Sequence, residues 1–388
     1  VYGRARIGGN IVYLESTGTD NKYLWLVVAV AGHEIDAFES VWFNDKKVLD
    51  GTTYQSGWAT SGNSSTSPYV QISQYKGDQT AADSALVSAS SKWTTNHKLL
   101  DTAYMVVRLT YDVDQFANGL PNISTIVRGK KVLNPSDNST AWSDNPALCA
   151  YDYLRDTKYG LGETVANILT ASVTTAKGVC DETVSLAAGG TQKRYTINGV
   201  VDTANSIKSN IEQMLGSMIG RLVYSGGQFE IHAGAYVAPA FTVDESVAVG
   251  EITVQTKQSR RNAYNGVKGV FLSEDDNYIL ADYPAQLSKT VAGSFEVTDP
   301  PSVRYKILSI GTTDFTAIGA SANTVGLDFT ASGAGSGNGE ASLFLAEDGQ
   351  QIFLDMALPF TTNNIRAQRI AKLALFRSRQ QEAITIPC

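Results

Sequence analysis

Residues Phe116 to Gly162 read Phe-Ala-Asn-Gly-Leu-Pro-Asn-Ile-Ser-Thr-Ile-Val-Arg-Gly-Lys-Lys-Val, then a polar loop, then Ser-Asp-Asn-Pro-Ala-Leu-Cys-Ala-Tyr-Asp-Tyr-Leu-Arg-Asp-Thr-Lys-Tyr-Gly-Leu-Gly. Ser124 to Val132 holds alternating and β-branched residues, a pattern that predicts a strand. Asn134-Pro135-Ser136-Asp137-Asn138 is turn chemistry. Ser143 or Asp144 can cap a helix in which Pro146 sits near the first position, where its missing N–H costs nothing. Leu148, Tyr151 and Leu154 then form one apolar face. Gly160 and Gly162 permit positive φ and end the helix. On spacing alone this is an ordinary strand–turn–helix unit without catalytic grammar.

Working outward, the 388 residues suffice for two or three domains with substantial cores. Hydrophobic residues make up 43% and charged residues only 18%, with many Gly, Ser, Thr and Tyr, which favours β-rich folds with many turns. The fold class expected is mainly β with some α. A net charge of −7 argues against a nucleic-acid-binding surface, which needs a basic footprint. It suits a conduit that lets DNA pass without gripping it. Cys149, Cys180 and Cys388 are widely spaced, so no zinc or redox pair is indicated, and Cys149 reads as a small buried residue. The longest apolar run, Tyr23 to Ala31, is far shorter than the roughly 20 residues of a membrane span and reads as a buried strand. Both ends lie in strand-like sequence, so the chain reads as a fragment or as one whose ends are missing.

Further strands are predicted at Arg4–Leu14, Glu34–Phe43, Tyr69–Tyr75 and Ala103–Tyr111, with a hairpin turn at 16–21. Gly51 to Pro68 reads as an exposed loop, and Thr80–Ser88 as a short helix. The strongest helical pattern runs from Ile207 to Leu222, through Ile211, Met214, Leu215, Met218 and Ile219. Ser225-Gly226-Gly227 marks a hairpin, and Asn363–Gln380 a last helix with Ile365, Ile370, Leu373 and Phe376 as its apolar positions. Its other face carries Arg366, Arg369, Lys372, Arg377 and Arg379, expected to point outward or to meet acidic groups on a neighbouring subunit. Between Pro300-Pro301 and Ala341 a lightly charged, glycine-rich segment reads as a small β unit inserted through linkers.

No chemistry of a reaction centre stands out. His33, His97 and His232 lack metal-ligand spacing, no nucleophile elbow occurs, and Gly129-Lys130 lacks the rest of a phosphate loop. Asp275-Asp276, Glu347-Asp348 and Asp112 with Asp114 are acidic neighbours, but nothing marks a glycosidase pair. No catalytic residue, cofactor site or metal site is assigned.

Several blocks in order resemble the tail hub, or tail tip, proteins of long-tailed bacteriophages. These are Val1–Gly9, Ala31–Ile35, Val41–Asp45, Trp93–Ala103, Gly119–Gly162 and the Ala367–Arg379 helix; 301–341 lies outside the resemblance. The motif residues carried over are Arg128, Gly129, Asp144, Asn145, Pro146, Tyr159, Gly160 and Gly162, in a structural role. Asn134-Pro135-Ser136 departs from an Asp-Pro-Arg turn. The resemblance implies a non-enzymatic virion protein at the tail tip, built of tandem tube-like β-barrel or sandwich domains. It implies a homotrimeric ring that closes the tail tube, joined to distal tail and tail-tube proteins and to a tail fibre or central spike. Double-stranded DNA would pass through it, and the host outer surface is a further partner. The implied domains are 1–32 with 112–165 as the first hub core, 33–111 as an inserted α+β subdomain, 166–300 with 342–388 as the second hub domain, and 301–341 as the inserted module. The alternative is a tail-associated glycan- or receptor-binding or cell-wall-degrading protein, for which Tyr54 and Trp58 in the glycine-rich loop are the candidate contacts.

Overall fold

The computed structural model describes residues 1–61, 63–236, 249–255, 264–297, 303–379 and 383–385. They fall into two compact units, Val1–Ala233 with Glu274–Tyr278, and Gly234–Ser273 with Ile279–Cys388. The chain is mainly β with a few helices.

The first unit opens with β1 (Arg4–Gly8), β2 (Asn10–Thr17), β3 (Tyr23–Ala31), β4 (Ala37–Phe43), β5 (Lys46–Asp50), β6 (Thr53–Tyr54), β7 (Val70–Tyr75), β8 (Ala103–Thr110) and β9 (Ile123–Arg128). They form two antiparallel sheets, β1-β9-β4-β5-β6 and β2-β3-β8-β7. Leu26, Val28, Met105 and Val107 of one sheet share a core with Val41, Phe43, Val48 and Ile123 of the other. On the second sheet's opposite face, Trp25, Val27, Tyr104 and Val106 pack with Leu86 and Trp93. Leu86 lies on α1 (Ser84–Ala89), which Asp83 caps by accepting from the Leu86 N–H. Burial on both faces explains why β3 reads as a continuous apolar run rather than an alternating one. The residues 33–111 contribute strands to both sheets. Among the described residues no sheet closes into a barrel, since each ends on edge strands with no further strand paired beyond them. The barrel form of the expectation gives way to a sandwich.

Three further helices complete this unit: α2 (Pro146–Arg155), α3 (Thr170–Asp181) and α4 (Ile207–Gly216). The strand predicted over Ser124–Val132 is two strands, β9 and Lys131–Asn134, the second paired with Ser139–Trp142. The break falls at Gly129-Lys130, whose N–H groups donate to Gly3 O (2.7 Å) and Val1 O (2.9 Å) and so leave the sheet. A Cβ on Gly129 would sit 2.3 Å from Val1 O. In consequence α2 packs on Lys131–Asn134, α3 and α4 rather than on β9. The helix predicted to reach Leu222 stops at Gly216. Ile219 has turned left-handed (φ 50°), and a Cβ on Gly220 would lie 2.8 Å from His232 O. Arg221–Ser225 then pairs with Gln228–His232.

In the second unit Gly266–Ser273 lies between antiparallel Ile279–Leu287 and parallel Phe353–Asp355. A four-stranded sheet of Thr290–Val291, Glu340–Ser342, Arg304–Ser309 and Asp328–Thr330 encloses its own aromatic core of Phe295, Tyr305, Phe315 and Phe329. Thr290 lies opposite Ala341, so this module's two connections run side by side. α5 (Leu343–Asp348) follows, then α6 (Asn364–Ser378). The buried face of α6 is Ala367, Ile370, Ala371 and Leu375, whereas Ile365 and Phe376 are exposed. Alanines let the helix approach the Gly266–Ser273 and Ile279–Leu287 strands closely. Arg379 departs from the expected outward basic face. It is buried and ion-paired to Asp348 of its own chain, with its Nε donating to Tyr264 O at 2.6 Å and its guanidinium 4.5 Å above the Phe344 ring.

Candidate functional site

The Arg128–Gly162 stretch is organised around the two ends of α2. Pro146 occupies the first helical turn, so the residue before it becomes the cap: Asn145, not Ser143 or Asp144. Its buried Oδ1 accepts from the N–H groups of Ala147 (3.0 Å) and Leu148 (3.4 Å). Its Nδ2 donates to Lys177 O on α3 at 3.1 Å. Asp144 accepts from Lys193 at 2.9 Å, and its carbonyl receives the Ile197 N–H at 2.8 Å. Asn145→Ala removes the cap and the tie to α3 together, and is expected to cost about 2 kcal/mol, measurable by urea unfolding.

At the other end a charged cluster joins three segments distant in sequence. Lys130 Nζ lies 2.7 Å from both Asp152 and Asp156, which sit one turn apart at the end of α2 and just beyond it. The Tyr2 hydroxyl donates to Asp152 at 2.7 Å. Burial alone would raise the Asp156 carboxyl, but Lys130 and the N–H groups of Tyr159 and Lys158 outweigh it and hold the pKa at about 2. Burial would lower Lys130, yet the two aspartates push it above the ordinary lysine value. Burial and the Asp152 charge raise Tyr2 well above an ordinary phenol. None of these three groups is poised to exchange protons near neutrality, so this is a fastening and not an acid–base pair.

The remaining motif residues frame the cluster. Arg128 pairs with Asp36 at 2.8 Å and lies 5.4 Å above the Trp142 ring, whose Nε1 donates to Gly3 O at 3.2 Å. The Tyr159 hydroxyl donates to Gly32 O at 3.3 Å. Gly160 passes so close to α2 that a Cβ there would lie 1.8 Å from Tyr153 O. Gly162 takes φ +77° in open surroundings. The structure thus sets Gly129, Tyr159 and Gly160 at the Lys130 end of α2, holds Arg128 on Asp36 and Trp142, and leaves Asp144, Asn145 and Pro146 at the helix's far end. The sequence reading passed over Tyr2, Lys130, Asp152 and Asp156. The i, i+4 spacing of the two aspartates was a signal, but their cation comes from outside the helix.

Other sequence candidates dissolve into packing. Tyr54 and Trp58 are 8% and 7% exposed within the first unit's core, which removes them as free glycan contacts. His97 stacks on Trp93 at 4.6 Å, His232 lies 3.2 Å from Glu230, and His33 Nδ1 lies 2.8 Å from Glu34 O. Cys149 and Cys180 are buried, and Cys388 lies outside the described residues. Among the described residues, no group of three or more His, Cys, Asp or Glu side chains could hold a metal ion.

No protein-family model matches the chain. It is 23% identical over 337 aligned positions to the baseplate hub protein pb3 of Escherichia phage T5, covering 69% of this chain and 35% of that protein. It is 26% identical over 221 positions to the tip attachment protein J of Escherichia phage SECphi27, covering 49% of this chain and 18% of that one. The chain is a relative of phage tail hub and tip proteins. The resemblance read from its sequence is borne out, and with it the assignment to the virion tail. The chain spans only about a third of the first relative's length and less than a fifth of the second's. Both relatives are named for a place in a tail and not for a reaction. Among solved structures, a chain from the virion of a native gene transfer agent particle superposes with a TM-score of 0.49 at 14% identity, covering 99% of this chain and 73% of that one.

Proposed function

We propose that the chain is a structural subunit of a trimeric hub ring that closes the tail tube, anchors the distal fibre and provides the conduit for DNA ejection. The observation carrying this reading is the relationship to the pb3 hub protein along most of the chain. The β2 strand supports an assembling role. It ends the β2-β3-β8-β7 sheet, and its Ile11, Val12 and Leu14 are 47%, 52% and 52% exposed. An edge strand offers unpaired N–H and C=O groups to another chain, and clustered apolar side chains favour their burial against it. A net charge of −7 on each chain keeps duplex phosphates from adhering to a lumen of the same sign. The tail-tube, distal tail, fibre and DNA partners belong to this proposal, as does contact with the host surface.

The module closed by the Thr290–Ala341 pairing is, in this reading, an insertion carried outside the ring. Native mass spectrometry tests both points. The chain is expected at three times its 41.6 kDa mass. A chain with residues 291–340 replaced by a short turn should also trimerise. A monomer at micromolar concentration that also fails to bind purified tail tubes would overturn the hub reading.

A further inference from the structure

We propose that a cleft in the first unit, between the Asn44-Asp45 turn and the Asp114–Gly119 loop, binds a neutral saccharide. The cleft has a volume of about 510 Å³, within the roughly 300–1,000 Å³ of small-molecule sites. Phe43 and Trp58 back the cleft as buried core rings, and the half-buried Phe116 offers its ring to it. Trp58 meets Phe43 edge-on at 5.3 Å, and Phe116 lies 6.1 Å from the same indole. Asp45, Asp114 and Asn118 line it as exposed residues, and their side chains hold no hydrogen bond or ion pair among the described residues.

The two walls are held before any ligand arrives. Asn44 N–H donates to Asn122 O at 2.8 Å, and Asn44 Oδ1 accepts the Asn122 N–H at 3.0 Å. Asp112 Oδ1 accepts from the N–H groups of Asp114 (3.1 Å) and Gln115 (2.8 Å), fixing the loop from its base. A pre-formed cleft spends little free energy on ordering its walls when it binds. Two unpaired carboxylates and an amide suit vicinal hydroxyls, which both donate and accept. The half-buried Phe116 ring suits the C–H face of a pyranose. With two carboxylates against the single cation of Lys46, the local charge disfavours uronic or sialic acids. The ligand class is therefore a neutral hexose or N-acetylhexosamine unit. This differs from the discarded Tyr54/Trp58 contact, because the polar groups here are free and the indole serves only as lining.

Saturation-transfer NMR on the full chain tests the site with methyl glucoside, methyl galactoside, N-acetylglucosamine and glucuronate. Transfer to at least one neutral sugar and none to glucuronate is expected. The Asp45→Ala/Asp114→Ala double variant should weaken binding about tenfold or more. Both residues are exposed, so its melting temperature should stay that of the parent chain. No transfer to any neutral sugar, equal transfer to glucuronate, or undiminished binding in the folded variant would overturn the assignment. None of these outcomes bears on trimerisation, so this site and the hub reading fail separately.

Discussion

Lys130→Met is expected to destabilise the first unit by about 3 kcal/mol at neutral pH, because it strands two largely buried carboxylates without their cation. The methylene stem is retained, so the loss reports charge rather than packing. For a unit of this size that is a fall in melting temperature of roughly 6–12 °C. The pH dependence separates this mechanism from a general loosening. In the parent chain the folded Asp156 pKa, about 2, lies below the ordinary aspartate value of 3.8. The unfolded chain therefore binds more protons between those values, so stability is fully present above about pH 4 and is lost as pH falls towards 2. Without Lys130, the Asp156 carboxyl loses the cation that holds its pKa down and takes up a proton more readily. Acidification from neutrality to about pH 4 should then narrow the gap between variant and parent. Adding Asp156→Asn should restore part of the lost stability. A neutral-pH deficit under about 1 kcal/mol, or a gap that widens towards pH 4, would show that the cluster is not the fastening described here.

How far the fold could be read depended on how local its causes are. Tyr23–Ala31 gave away a doubly buried strand, and Pro146 with Leu148, Tyr151 and Leu154 gave away a helix, because each signal lies within its own element. The cap, read as Ser143 or Asp144, lies one or two positions further on, since a proline at the first turn makes its immediate predecessor the cap, and that is Asn145. Gly129-Lys130 broke a predicted strand for a reason invisible nearby: its N–H groups are taken by the opening residues of the chain. The buried face of α6 was read only at Ile370: Ala367, Ala371 and Leu375 complete it, whereas Ile365 and Phe376, which apolar scales weigh more heavily than alanine, stay exposed. At the candidate site, the motif residues came from resemblance and the glycines from turn chemistry. The Lys130–Asp156 contact spans 26 positions, and no periodicity brings those two side chains together.

Gly160→Ala is the sharpest test of how tightly that junction is built, with an expected cost of about 3 kcal/mol or more. The added methyl would meet two backbone oxygens, Tyr153 O at 1.8 Å and Asp156 O at 2.9 Å, neither of which can swing aside as a side chain would. Relief requires moving the 156–163 turn, and that turn holds the Leu161 N–H on Tyr153 O (3.2 Å) and the Glu163 N–H on Leu154 O (2.8 Å). Moving it also disturbs the Tyr159 N–H on Asp156, at 2.8 Å, and so reaches the carboxylate that Lys130 holds. Two other glycines calibrate the result. Gly162→Ala has no atom nearer than 3.8 Å but must hold φ near +77°, so its cost should be only about 1–2 kcal/mol. Gly178→Ala, exposed on α3 with nothing within 4 Å, should stabilise by about 0.5–1 kcal/mol through helix propensity. Urea unfolding of the three variants should therefore rank Gly160→Ala far below Gly162→Ala, and Gly178→Ala above the parent. If Gly160→Ala instead fell level with Gly162→Ala, the glycine would serve backbone freedom alone, and the close passage over α2 would not be what fixes the turn.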